Sequence, residues 1–147
     1  MNLFGVMGIS ASGLSAERTR AEVVAANMAN AESTNTPEGG PYRRKEVVLQ
    51  SQAPTGFRLQ LASAGAAANE RVGGVTVREI VSDEAAPVMR YDPSHPDANA
   101  DGFVAYPNIN PVLEMTDLMG AARAYQMNAS AVQAAKQMIQ QSIELLK

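Results

Sequence analysis

From Met115 onward, positions 115, 118, 122, 125, 129, 132, 136, 139, 143 and 146 advance by alternating steps of three and four residues. They carry Met, Leu, Ala, Tyr, Ala, Val, Lys, Ile, Ile and Leu, nine of the ten apolar. A strand presents one face every second residue, so this spacing predicts a long α-helix with a coiled-coil-like seam. No Gly or Pro follows Gly120. Asn110 is predicted to cap the helix, Pro111 to take its first position, and Glu114 to lie in the first turn, where the helix dipole favours a carboxylate. From Pro111 to the C-terminus the helix spans about 55 Å at 1.5 Å per residue.

The rest of this helix surface is poor in charge. Between Pro111 and Lys147 only Glu114, Asp117, Arg123, Lys136, Glu144 and Lys147 are charged, and a second apolar line runs through Ala121, Ala124, Ala131, Ala135, Met138 and Leu145. A solvent-facing helix alternates Glu and Lys on its outer side, whereas one covered on several sides uses small, uncharged residues. Two readings follow: the centre of a monomeric bundle, or a helix covered by other molecules. The chain supplies only one other long helix to do the covering.

That helix is the N-terminal one. Met7, Leu14, Ala21 and Met28 recur every seven residues, with Leu3, Ala11 and Val24 on a neighbouring face. Gly5, Gly8 and Gly13 weaken the first turns, each costing roughly 1 kcal/mol relative to Ala. Ser10 or Ser12 is therefore expected to cap the better-formed portion. A breaker cluster, Asn35, Thr36, Pro37, Gly39, Gly40 and Pro41, ends the helix near Ala31–Thr34.

Between the helices the pattern changes to strands. Tyr42–Leu49, the alternating Phe57, Leu59 and Leu61, Val75 to Val81, Val88–Tyr91 and Phe103–Tyr106 are strand candidates separated by Gly, Pro, Asn and Asp. Ala62–Asn69 is read as a hairpin loop rather than a helical turn. The expected class is α+β: terminal helices paired antiparallel in a coiled-coil-like stalk, with a small antiparallel β unit between them. The corresponding segments are 1–33, 34–110 and 111–147.

Composition removes several functions. Twelve Lys+Arg against fifteen Asp+Glu, a net charge of −3, argue against broad capture of nucleic acid or anionic lipid. Without Cys there is no disulfide, thiolate metal site or thiol nucleophile, and a single His leaves little for acid–base catalysis. No catalytic role, cofactor, metal or small-molecule substrate is expected. The first 17 residues lack Lys and Arg, so no cleavable secretory signal is read. No stretch reaches the roughly 20 apolar residues of a membrane span.

A single helix pair leaves apolar lines uncovered on its outer faces, and such lines mark interaction sites. Heterologous association that does not close covers them and gives a helical filament. On this physical reading the chain is a subunit of a polymeric tube.

Specific motifs lead to the same place. Ala26-Asn27-Met28-Ala29-Asn30, Thr34 and Tyr42-Arg43-Arg44 resemble the N-terminal signature of the flagellar axial proteins, the family of rod, hook and hook-associated subunits. Asp92-Pro93-Ser94-His95-Pro96-Asp97-Ala98, Gly102-Phe103-Val104, Pro107-Asn108-Ile109-Asn110 and Glu114-Met115 are similar to its proximal rod members. Ala122, Arg123, Tyr125, Asn128 and Lys136 continue that pattern. The resemblance implies a structural subunit of the drive shaft between the rotor ring and the hook, with terminal helices forming an inner tube. It implies export through the flagellar type III channel and assembly across the periplasm. The implied partners are other copies, other proximal rod subunits, the adapter at the rod base, the membrane-embedded ring, the distal rod protein and, in transit, the export apparatus. The rival readings are another axial subunit of rod or hook type, a coiled-coil adaptor that does not polymerise, and an enzyme built on His95, Asp92 and Asp97.

The expected inter-subunit residues are Met7, Leu14, Ala21, Val24 and Met28 on the first helix, with Asn27, Asn30, Tyr42 and Arg43 around its end. On the last helix they are Met115, Leu118, Ala122, Tyr125, Ala129, Val132, Lys136, Ile139, Ile143 and Leu146. The amides of Asn27 and Asn30 have two uses open to them, bonding backbone locally or across a subunit contact. Arg43 and Arg44 are either solvated or paired with a neighbour's carboxylate. His95, between Pro93 and Pro96, is read as part of a rigid turn in which Asp92 and Asp97 bond nearby backbone. Asn99, Asp101 and Asn108 offer oxygen atoms but lack the spacing of a calcium loop. Lys136, the polar residue in the seam, either snorkels to the rim or fixes register.

Overall fold

A computed structural model describes residues 3–52 and 73–145. Among the described residues two long helices bracket four strands, an α+β arrangement: α1 (Leu3–Ala29), β1 (Lys45–Gln52), β2 (Gly74–Ser82), β3 (Val88–Tyr91), β4 (Phe103–Tyr106) and α2 (Pro111–Glu144). The candidate strand at Phe57–Leu61, the Ala62–Asn69 loop and Leu146 lie outside the described residues. Among the described residues no helix is long and apolar enough to cross a membrane.

The start of α2 follows its sequence signals. The Asn110 side chain accepts from the Val112 N–H at 3.0 Å, and its carbonyl accepts from Glu114 N–H at 3.1 Å. This satisfies donors that a helix start otherwise leaves unpaired.

The start of α1 departs from expectation. The helix begins at Leu3, so Ser10 and Ser12 lie in its interior and cap nothing. The Ser12 hydroxyl donates to Ile9 O at 2.7 Å and accepts from Val75 N–H at 3.1 Å, which ties β2 to the helix. At Gly13 a side chain would meet Asn128 at 3.0 Å, so this glycine allows close approach of α2. Local propensity is overruled here by tertiary contact.

The described chain divides into two compact units, each drawing on both helices. One comprises Met1–Thr19, Leu49–Arg78 and Ala121–Lys147; the other comprises Arg20–Val48 and Glu79–Gly120. In the first, the buried side chains among the described residues are Ser10, Ala16, Ala121 and Ala135. Small residues line this contact because they let two helix backbones approach closely. In the second, Val24, Val104, Asn27 and Glu114 are buried. Two of those four are polar.

Strands β1 and β2 pair in one sheet and β3 and β4 in another. The second is an antiparallel hairpin in the register Val88↔Tyr106, Met89↔Ala105, Arg90↔Val104 and Tyr91↔Phe103. Val104 turns inward and the Arg90 guanidinium lies 4.3 Å over the Tyr106 ring. On the opposite face Tyr91 and Phe103 meet edge to face at 5.3 Å and stay exposed. Gly102 closes the connection at φ +80°, where a side chain would lie 2.9 Å from the Tyr91 ring. Only glycine fits both the backbone and the space.

Candidate functional site

Two features of the described residues stand out: a buried polar clasp within the second unit, and the apolar surface that α2 leaves uncovered.

The clasp is centred on Asn27, which is wholly buried in the last turn of α1. Its amide nitrogen donates to Lys45 O at 2.8 Å and to Glu114 Oε2 at 3.1 Å. Its oxygen accepts from Lys45 N–H at 2.9 Å and from the Tyr42 hydroxyl at 3.3 Å. Both donors and both acceptor positions of the amide are thereby used. Glu114, 1% exposed, takes a charge-assisted bond from Arg44 Nε on its other oxygen at 2.7 Å. Arg44 also lies 3.7 Å from Asp117 and from Glu46, and Arg20 lies 3.7 Å from Asp117.

A carboxylate and a guanidinium survive burial only when paired and hydrogen-bonded. The hydrogen bond to Glu114 holds the Arg44 guanidinium above its ordinary pKa. Burial, aided by the Glu114 charge, raises the Tyr42 phenol as well.

The predicted site residues divide around this centre. Asn27 and Tyr42 are in the clasp, and Asn27 bonds within the chain, to the Lys45 backbone and to Glu114 far along the sequence. Asn30 does the same, donating to Ala26 O at 2.9 Å and accepting from Ser33 Oγ at 3.1 Å. Val24 is buried, Arg43 is exposed, and Met7, Leu14, Ala21 and Met28 are half-buried. On α2, Leu118, Ala129, Val132 and Ile139 are half-buried, while Met115, Ala122, Tyr125, Lys136 and Ile143 are exposed.

The side of α2 that the chain covers is the small-residue line, with Ala121 and Ala135 buried and Ala124 and Ala131 half-buried. Part of the bulkier seam faces outward, led by Met115, Tyr125 and Ile143 at 53%, 43% and 55% exposure, while Leu118, Ala129, Val132 and Ile139 are half-buried. Met127 and Met138, with Leu145 just past the helix end, form another exposed line on a different bearing.

Arg44 and Glu114 are the residues that sequence reasoning missed as site members. In the sequence Arg44 reads only as solvated or paired with a neighbour's carboxylate, and Glu114 only as a helix-start residue. The available signal was a pair of opposite charges beside element ends.

The His95 loop is a set of side-chain turns. Asp92 Oδ1 accepts from the Ser94 hydroxyl at 2.7 Å and from Ser94 N–H at 3.2 Å; these bonds, the hydroxyl's first, hold Asp92 below its ordinary pKa. His95 Nδ1 accepts from Asp97 N–H at 3.1 Å. Asp97 receives the Thr34 hydroxyl at 2.7 Å, a side-chain partner where nearby backbone was expected. Asn99 Oδ1 accepts from the N–H groups of Asp101 and Phe103. Among the described residues no group of three or more His, Asp or Glu side chains is placed to hold a metal ion.

Known proteins resemble the whole chain. The family model described as flagellar basal body rod FlgEFG protein C-terminal matches residues 100–145, a span containing β4, α2 and Glu114. The flagellar basal-body rod protein FlgC of Bacillus subtilis is 39% identical over a 154-residue alignment covering all of both chains. The chain belongs to the FlgC family of flagellar basal-body rod proteins. Two further FlgC relatives, from Salmonella typhimurium and Escherichia coli O157:H7, are 35% and 37% identical over 145 residues, covering 99% of this chain and 98% of theirs. The FlgC relationship extends beyond the 100–145 match to the N-terminal part of the chain.

Proposed function

We propose that this chain is a structural subunit of the flagellar basal-body rod, without a catalytic step, and that it polymerises through the faces its helices leave uncovered. In this reading residues 1–33 and 111–147 supply the helices of an inner tube and 34–110 the β-rich part outside it. The finer partners are other copies, other proximal rod subunits, the adapter at the rod base, the membrane-embedded ring and the distal rod protein. The subunit reaches the periplasm through the flagellar export apparatus and helps carry torque from rotor to hook.

The observation that carries the proposal is the outward seam of α2 in a chain related to FlgC proteins along its full length. Covering each half-exposed Met, Tyr or Ile gains on the order of 1 kcal/mol from apolar burial. Exposed lines on two bearings call for neighbours on more than one side, which suits an extended assembly better than a closed dimer. The predicted interface residues on α2, from Met115 to Ile143, are proposed to meet those neighbours. Asn27 and Tyr42, spent within the chain, are proposed to shape the contact surface.

Complementation tests the proposal. In a flagellated bacterium lacking its own FlgC, the chain is expected to restore swimming and to co-purify with basal bodies. Recovery of a small soluble oligomer with no trace in basal bodies would favour the coiled-coil adaptor instead.

A further inference from the structure

We infer that the Asn27–Arg44–Glu114 clasp is a register lock: it sets the axial position of the first turns of α2 on the end of α1, and with it the position of Met115, where the outward apolar line begins. The inference rests on the rod-subunit reading for its consequence, though not for its geometry.

Within the second unit, apolar contact does little to fix this register. In the second unit, the side chains that α1 and α2 bury are Val24, Asn27 and Glu114, so one small apolar group stands beside two polar ones. Apolar burial is non-directional and tolerates sliding. Hydrogen bonds do not, because they weaken steeply beyond about 3.2 Å or when misaligned.

Asn27 is pinned by both backbone groups of Lys45, at 2.8 and 2.9 Å, and it holds Glu114 Oε2 at 3.1 Å. Arg44, the residue before Lys45, holds Glu114 Oε1 at 2.7 Å. The two carboxylate oxygens are thus held from α1 and from the β1 approach independently. A slide of one helical turn, about 5.4 Å, breaks both bonds and leaves a buried carboxylate without partners, which the interior does not tolerate. The ion pairs of Asp117 with Arg20 and Arg44, each 3.7 Å long with Asp117 41% exposed, are too weak to substitute.

The consequence for assembly follows from adjacency. Glu114 is the residue before Met115, the first exposed residue of the outward line, and one turn before the half-buried Leu118. Displacing Glu114 along α1 displaces them equally. A single buried polar contact fixing the register of helices is an established device in coiled coils.

The experiment separates register from stability. Arg44→Met/Glu114→Leu replaces the ion pair with apolar side chains of similar volume, a change that commonly leaves stability near neutral. The chain has no Cys, so introduced thiols report position alone. Arg20→Cys/Asp117→Cys probes the observed register and Arg20→Cys/Leu113→Cys one displaced by a turn, both read with a short thiol cross-linker on the purified full chain. With the clasp intact only the 20/117 pair is expected to link. In the double variant both pairs are expected to link, unfolding resistance to persist, and rods and swimming to be lost on complementation.

Linking confined to 20/117 in the double variant overturns the lock, as does full swimming. Should the double variant fail to accumulate, Glu114→Gln, which keeps the shape and one acceptor oxygen, undergoes the same comparison with the same expectations and the same refuting results. Failure of the unaltered chain to enter basal bodies would instead sink the rod reading and leave the cross-linking comparison standing.

Discussion

Replacing Asn27 tests whether the clasp is as demanding as its geometry implies. Asn27→Ala removes four hydrogen bonds at once. The bond to the buried Glu114 carboxylate is charge-assisted and contributes about 1.5–3 kcal/mol. The Lys45 backbone groups belong to an exposed residue and the Tyr42 bond is long at 3.3 Å, so these together add about 1 kcal/mol. The expected loss is about 3 kcal/mol out of a typical 5–15. For a chain of this size that lowers the melting temperature by roughly 6–12 °C.

Asn27→Asp preserves the shape and is expected to be worse at neutral pH. It keeps both acceptor bonds, loses both donors, and sets a second carboxylate against Glu114 Oε2 in a buried site. Two carboxylates so placed cannot both ionise easily. One of them therefore has a raised pKa in the folded state, and the penalty shrinks as pH falls below that value and a proton is taken up. The assay is denaturant unfolding of each purified variant at neutral and mildly acidic pH, with amide exchange at Lys45 N–H reporting the clasp itself. A loss below about 1 kcal/mol for Asn27→Ala, or Asn27→Asp matching the wild type at neutral pH, would refute the reasoning.

Other perturbations probe the remaining features. Gly102→Ala forces a side chain into the left-handed region at φ +80° and to 2.9 Å from the Tyr91 ring; a destabilisation of about 1–3 kcal/mol is expected in thermal unfolding. Ile143→Asp, at a 55% exposed position, should change the stability of the subunit by no more than about 0.5 kcal/mol yet exclude it from basal bodies, because assembly would bury the new charge. The Tyr42 phenol is raised above its ordinary 10.0 by burial and then by Glu114. Its contribution is therefore complete below pH 10.0 and declines as pH rises through the folded value, a slope that Tyr42→Phe should remove from an alkaline stability series. His95→Ala deletes one acceptor in an exposed turn and should leave swimming near normal; loss of swimming in a stably accumulated variant would revive the reading of that loop as a reactive site.

Local physics made much of this molecule legible from residue order alone. Helical spacing, the Asn110 cap and Pro111 gave α2 its start. Alternation between breakers located β3 and β4 at the residues where they are found. The motifs around Asn27 and from Asp92 to Met115 pointed to the right family. These features depend on neighbours a few residues apart, and such neighbours are written in the sequence.

Tertiary structure alone decided which side of each helix turns inward. Periodicity marks an apolar stripe without naming its partner, and α2 covers its small alanines against the chain while presenting Met115, Tyr125 and Ile143. It likewise turned Ser12 from an expected cap into an anchor for β2, and joined Asn27 to Glu114 across 87 residues of sequence. Nothing in a one-dimensional pattern specifies which buried amide will meet which carboxylate. That pairing exists only once the backbone has brought their atoms within bonding distance and excluded the water that would otherwise satisfy them.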